Sequence, residues 1–148
     1  MNVIARNKKA SHLYFLEDRF EAGVVLRGTE IKSIRAGKVS IKDSFVRIRN
    51  NEAFIINMHV AKYAQGSQFN HDETRERKLL LHKREIERLA GKVQKENYTL
   101  VPTQIYIQRG RCKIEIALAK GKKLHDKRQS LKDKDMKRRL EKELSHRH

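Results

Sequence analysis

The chain has a single cysteine, Cys112, so it closes no internal disulfide, and this economy suits a reducing compartment such as the cytoplasm. No run of apolar residues approaches the ~20 that a membrane-spanning helix requires. Residues 1–9 contain no hydrophobic stretch of the secretory-signal kind. Proline occurs once, at Pro102, inside a segment that otherwise reads as strand, so that strand is expected to lie at an edge or to bulge there. Catalytic signatures are missing as well: there is no H-E-x-x-H, Walker loop, G-x-S-x-G or paired C-x-x-C. The histidines are scattered without ligand spacing, and His71-Asp72-Glu73 are consecutive loop positions that do not converge on an ion. Cys112 falls on the inward face of a strand, where an inert thiol is expected rather than a nucleophile. A secreted, membrane-spanning or disulfide-stapled protein is excluded, and neither an enzyme nor a cofactor or metal is expected.

Acidic residues are scarce beside basic ones. The 148 residues carry 35 Lys and Arg against 18 Asp and Glu, a net charge of +17. Such a chain takes phosphate-rich polymer as its default partner, because neutralising phosphates releases counterions. The excess is uneven: residues 120–148 hold a net +7 and the preceding 119 residues a net +10. At 100° per residue, Leu124 and Leu131 of this tail point one way while Met136, Leu140 and Leu144 point the other. A helix there has no continuous apolar stripe to bury. Yet no Gly, Pro, Val or Ile follows Gly121, and Asp126 with Gln129 resembles a capping box. The expected tail, residues 122–148, is disordered alone and helical against a polyanion. The alternative is a solvated tail that only aids solubility.

The body, residues 1–121, is dominated by period-two alternation. Tyr14, Leu16, Phe20, Ala22, Val24 and Leu26 share one face of an extended stretch interrupted at Asp18, with Gly23 as the expected bend or bulge. Strands are expected at 45–49 and 54–60, joined through Asn50-Asn51, and at 100–108 and 111–119, joined through Arg109-Gly110. Leu79-Leu80-Leu81 fits either a short buried strand or a helix start. Helices are expected at 30–35 and at 83–96, where Ile86, Leu89, Ala90 and Val93 fall at i, i+3, i+4, i+7. About six strands and two helices predict a mainly β fold, a small antiparallel barrel of the oligonucleotide-binding type. The polar connection 61–77 is long enough to be a functional loop. Lys32, Arg35, Lys38 and Lys42, with Arg75, Arg77 and Lys78, suit phosphate contacts. Tyr14, Tyr63, Phe69 and Tyr106 could each stack on an unpaired base or pack in the core.

Several strings are jointly specific. Asn7-Lys8-Lys9-Ala10 precedes Tyr14 and Phe20-Glu21-Ala22-Gly23; then come Leu26-Arg27-Gly28-Thr29-Glu30-Ile31-Lys32-Ser33-Ile34-Arg35-Ala36-Gly37, Arg75-Glu76-Arg77-Lys78-Leu79-Leu80-Leu81-His82-Lys83 and Ala119-Lys120-Gly121-Lys122-Lys123-Leu124-His125-Asp126-Lys127-Arg128. In this order they resemble the SsrA-binding protein family, also called small protein B, whose members partner transfer-messenger RNA in bacterial trans-translation. The resemblance runs from about Asn7 to the end and is carried by basic character alone after Arg128.

The resemblance implies an RNA-binding adaptor, monomeric and with no membrane partner. It holds the tRNA-like domain of transfer-messenger RNA and delivers it to stalled ribosomes. The tail then enters the decoding site and the empty mRNA channel. By position, Asn7, Tyr14, Glu21 and Leu80 match residues of the RNA-binding surface, to which Lys32, Arg35 and Lys78 add charge. Gly121, Lys122, Lys123, His125, Asp126, Lys127 and Arg128 match the opening of the ribosome-binding tail. His125 is expected to stack on decoding-site bases, and Lys122, Lys127 and Arg128 to pair with ribosomal RNA phosphates. Glu21 is the unexpected member, since a carboxylate among phosphates repels. It would accept hydrogen bonds from base amino or imino groups, or it would pair with Arg19 or Lys8. Glu30 is expected to orient Lys32 or Arg35. Glu73 stands where the family commonly has proline.

Overall fold

A computed structural model describes residues 2–63 and 70–121. Phe69 and the tail residues Lys122, Lys123, His125, Asp126, Lys127 and Arg128 lie outside the described residues. The described chain runs β1 (Asn2–Arg6), α1 (Lys8–Leu13), β2 (Tyr14–Val24), α2 (Gly28–Arg35), β3 (Val39–Ser40), β4 (Phe45–Arg49), β5 (Glu52–Ile56), β6 (His59–Val60), β7 (Arg77–Leu80), α3 (Lys83–Glu96), β8 (Thr99–Gln108) and β9 (Arg111–Gly121).

Six strands close a ring in the order β8-β4-β5-β7-β2-β9, sealed by β9 pairing back to β8. All of its pairings are antiparallel. The small antiparallel barrel read from the sequence is therefore what forms. Its interior holds Ala22, Ile55, Leu79, Leu100, Ile105, Ile114, Ile116 and Leu118, all essentially inaccessible to water. Ile34 of α2 and Leu89 of α3 close the same cluster. Removing this aliphatic surface from water, at roughly 25 cal/mol per Å², is what drives ring closure.

The turns follow their residue types. Asn50 and Asn51 both take left-handed backbone, with φ of 53° and 61°, as a two-residue hairpin turn that matches strand twist demands. Arg109 and Gly110, at φ 52° and 75°, do the same for β8 and β9. Helix α3 spans Lys83–Glu96, starts where Glu85 accepts from the His82 N–H at 3.0 Å, and ends at left-handed Asn97. Of the triple leucine, Leu79 and Leu80 belong to a strand, β7, and Leu81 follows it. The strand expected over 54–60 is in fact two. Asn57 turns to φ 62°, and His59–Val60 leaves the ring to pair with Val39–Ser40.

The long strand β2 departs from its reading in an instructive way. The bulge falls at Asp18, φ 26°, between Glu17 and Arg19, and not at Gly23. One extra residue reverses the side-chain alternation. Phe20, Ala22 and Val24 therefore line the barrel, while Tyr14 and Leu16 face outward. There they pack with Ala10, Val101 and Ala119 in a second cluster beneath α1. Gly23 serves close approach instead: a Cβ placed on it would lie 3.3 Å from Leu80 Cβ.

Helix α1 and strand β1 were not legible, and one residue explains both. Asn7 is 6% exposed, and its Oδ1 accepts from the Ala10 N–H at 3.1 Å, capping α1. Its Nδ2 donates to the carbonyls of Ile41 at 3.1 Å and Pro102 at 2.9 Å, and its own N–H to Thr103 O at 2.8 Å. Pro102 lies at the expected bulge, between Pro102 and Gln104, and Asn7 bonds to the backbone there through both its side-chain amide and its own N–H. Asn7→Ala removes a cap and orphans buried carbonyls, and urea denaturation should show a loss of about 2–4 kcal/mol. A loss below ~0.5 kcal/mol would contradict this role.

Candidate nucleic-acid interface

Strand register assembles the outer face of β7-β2-β9-β8. Leu80 pairs with Gly23, Gly23 with Lys113, and Lys113 with Tyr106, in one row across four strands. The neighbouring row runs Glu21, Glu115, Gln104. Leu80 is 55% exposed, an unusual state for a leucine flanked by strand partners. The side-chain-free Gly23 leaves it a shallow seat.

Glu21 and Glu115 stand directly opposite one another, a placement that costs stability on a sheet. Each carboxylate has its own donors. Glu115 accepts from Arg19 Nη1 at 2.9 Å, Thr103 Oγ1 at 2.8 Å and Gln104 Nε2 at 3.1 Å. Burial would raise its pKa, but these three bonds outweigh that and hold it below the ordinary value of 4.5. Glu21 accepts from the Tyr106 hydroxyl, while Lys113 Nζ stays 4.0 Å away. Pairing of Glu21 with Arg19 or Lys8 is thus replaced by Tyr106, and Arg19 goes to Glu115.

A depression of about 520 Å³ opens beside Glu21, lined by Gln108, Arg109, Arg111 and Lys113. It adjoins a second, of about 260 Å³, that shares Arg111 and Lys113 and reaches Leu80, Val24, Leu26 and Ile31. Arg35 Nη2 donates to Gly110 O at 3.3 Å, which brings α2 against the β8–β9 hairpin tip. The arrangement offers cations for phosphates, one carboxylate acceptor and an exposed leucine on a single wall. Gln108, Arg109, Arg111 and Lys113 were not among the expected site residues. The signal was available, since Lys113 alternates outward along β9 and Arg109 and Arg111 flank the turn glycine.

Other expected residues separate. Tyr14 lies outward on the same strand as Glu21, roughly 20 Å along it at ~3.3 Å per residue, and pairs with Gly121. The barrel's last described residue, from which the tail departs, therefore sits next to Tyr14. Asn7 is beneath this region with its amide fully used inside the protein. Lys32 lies over the Tyr63 ring at 5.2 Å. Lys78 pairs with Glu52 at 2.7 Å while remaining 46% exposed. Tyr106 is only 3% exposed, so it offers no stacking platform.

Arg75 and Arg77 are structural, contrary to expectation. Arg77 is fully buried: its Nε donates to Glu30 Oε2 and its Nη1 to Met58 O at 2.7 Å. Its Nη2 reaches the carbonyls of Asp72 and Glu73 at 3.3 and 3.2 Å. Arg75 Nη2 binds Glu30 Oε1 at 2.6 Å. Glu30 also accepts from the Arg27 N–H at 2.7 Å, opening α2. It therefore clamps β7 to α2 and does not orient Lys32 or Arg35.

The neighbourhood of residues 70–76 is likewise engaged inward. His71, 1% exposed, gives Nε2–H to Val60 O and sets Nδ1 against the Thr29 hydroxyl, each at 2.9 Å. Glu73 holds His59 at 2.6 Å. Among the described residues no group of acidic, His or Cys side chains could hold a metal ion. Burial pushes the Cys112 thiol up to about 12, which leaves it protonated and unreactive. No described helix is long and apolar enough to cross a membrane.

The family model described as SmpB protein matches residues 4–146. An SsrA-binding protein of Shouchella clausii strain KSM-K16 is 56% identical over 145 residues, covering 98% of this chain and 93% of that protein. One from Bacillus cereus strain AH820 is 57% identical over 138 residues, covering 93% and 89%. Among solved structures, a chain described by the words "tmRNA-SmpB: a journey to the center of the bacterial ribosome" superposes with a TM-score of 0.68 at 46% identity, covering 82% of this chain and 85% of that one. The motifs, the barrel and near-complete relatives at more than half identity agree: the chain belongs to the SmpB protein family.

Proposed function

We propose that this protein is a non-enzymatic RNA-binding adaptor of the cytoplasm. It binds the tRNA-like domain of transfer-messenger RNA on the outer β7-β2-β9-β8 face and delivers it to stalled ribosomes. The observation that carries the reading is Glu21. It is a half-exposed carboxylate set opposite Glu115, at a cost to the sheet, beside a depression lined by Arg109, Arg111 and Lys113. Phosphate affinity alone would place no acid there. A base edge that offers amino or imino donors gives it a use.

Residues 122–148 form the second contact surface, entering the decoding site and empty mRNA channel as a helix that forms on binding. His125 stacks there, Lys122, Lys123, Lys127 and Arg128 meet ribosomal RNA phosphates, and Asp126 caps the helix start. Asn7 acts by shaping the surface below Tyr14. Lys32, Arg35 and Lys78 supply long-range attraction.

Purification of the full chain from cells at moderate salt, followed by sequencing of the bound RNA, tests the reading. Transfer-messenger RNA should dominate. Ribosomal RNA alone would overturn it in favour of a ribosomal or ribosome-assembly protein.

A further inference from the structure

We propose that Tyr106 is a positioning residue for RNA recognition. Its hydroxyl holds one oxygen of Glu21 from inside the protein and so aims the other at a donor on an RNA base. The inference rests on the reading of Glu21 above. It replaces stacking with a different use for a tyrosine that cannot reach a base face.

Three observations converge. Tyr106 belongs to the outward row Leu80, Gly23, Lys113, Tyr106, yet it is 3% exposed. It is also absent from the aliphatic cluster that fills the barrel. A side chain buried on the outer wall has only its hydroxyl to offer, and that hydroxyl meets Glu21 Oε2. Second, Lys113 Nζ stands 4.0 Å from Glu21 Oε1, beyond hydrogen-bond length, with both side chains partly exposed. Such a pair contributes little and fixes no geometry. Tyr106 is therefore the one fixed donor to this carboxylate among the described residues. Third, Glu115 directly opposite would repel a free-swinging Glu21 carboxylate. A bond from a rigid aromatic side chain holds it against that repulsion, since donors to charged acceptors form the stronger hydrogen bonds.

Burial, followed by the bond to Glu21, pushes the Tyr106 hydroxyl well above its ordinary value of 10.0, so it stays a donor throughout the physiological range. One Glu21 oxygen is thereby occupied, while the other lies 4.0 Å from Lys113 Nζ, and both residues line the depression with Gln108, Arg109 and Arg111. Cations there bind any RNA backbone. The aimed oxygen adds an acceptor that distinguishes one base edge from another.

The test compares wild-type full-length protein with Y106F, E21Q and the double variant. The probes are a transcript of the tRNA-like domain and an unrelated tRNA of similar length. Y106F removes a single oxygen. It should weaken binding of the tRNA-like domain about tenfold, leave the unrelated tRNA within about twofold, and keep the thermal midpoint close to wild type. In the E21Q background Y106F should add less than about twofold, because Tyr106 acts through Glu21. Equal losses for both RNAs, or losses that multiply in the double variant, would overturn the inference. Should E21Q weaken the specific complex while Y106F does not, the positioning role alone fails. If E21Q itself leaves specific binding intact, the reading of Glu21 fails and this inference falls with it.

Discussion

A stop codon after Gly121 should abolish peptide tagging on stalled ribosomes while the barrel stays folded and keeps its grip on the tRNA-like domain. The physical ground is the closed ring, whose six strands lie within residues 14–121. Gly121 is the last described residue in the β2–β9 ladder, opposite Tyr14, and among the described residues of β9 the last in the barrel cluster is Leu118. The aliphatic cluster that fills the barrel is built from residues that precede Gly121. Loss of residues 122–148 thus leaves every side chain of that cluster in the chain. It does remove the most densely basic part of the chain, so binding of any RNA should weaken somewhat and depend less steeply on salt. Circular dichroism, gel-shift titration and a tagging assay separate these effects. Loss of the folded barrel, or tagging retained, would refute the division between barrel and tail.

The second large effect lies at Glu30. Glu30→Ala leaves the fully buried Arg77 guanidinium with only backbone carbonyls, and breaking such a pair costs about 3–5 kcal/mol. Arg77→Met should cost less, because the Glu30 carboxylate keeps Arg75 at 2.6 Å and the Arg27 N–H at 2.7 Å. Replacing both by methionine should recover part of the loss, since an apolar pair leaves no stranded charge. The order Glu30→Ala, then Arg77→Met, is the diagnostic result in chemical denaturation, and the reverse order would contradict it. Acid acts on the same group. Burial raises the Glu30 pKa, but Arg75, the Arg27 N–H and Arg77 outweigh it and hold the folded-state value below 4.5. Its contribution is therefore complete above pH 4.5 and lost as the pH falls through the lower folded value. Wild type should lose stability across that acid limb, and the Glu30→Ala protein should show a shallower one.

What the sequence made legible was whatever local chemistry decides alone. The Asn50-Asn51 and Arg109-Gly110 turns need left-handed backbone, and the residues there tolerate it. Helix α3 carries its own apolar spacing and boundary residues. What stayed hidden depended on distant partners. Six-residue α1 has no periodicity to read and is fixed by Asn7, whose amide bridges positions 34 and 95 residues away. The Asp18 bulge reverses a face that the alternation carried straight through. In the candidate interface the same limit applies. A basic cluster at 75–78 reads as phosphate-binding from charge alone, yet Arg77 is swallowed whole by a glutamate 47 residues upstream. The cations left on the wall come from the β8–β9 hairpin, whose place beside Glu21 is a matter of strand register. The pairing of Tyr106 with Glu21 spans 85 residues and could not be seen from either.

Amide shift mapping of the full chain, as the tRNA-like-domain transcript is titrated in, tests the central claim most directly. The largest changes should fall at Glu21, Gly23, Leu80 and residues 108–113, the outer wall of β7-β2-β9-β8. Changes concentrated instead on α3 and the β4–β5 hairpin, with that wall unmoved, would show that the RNA sits elsewhere.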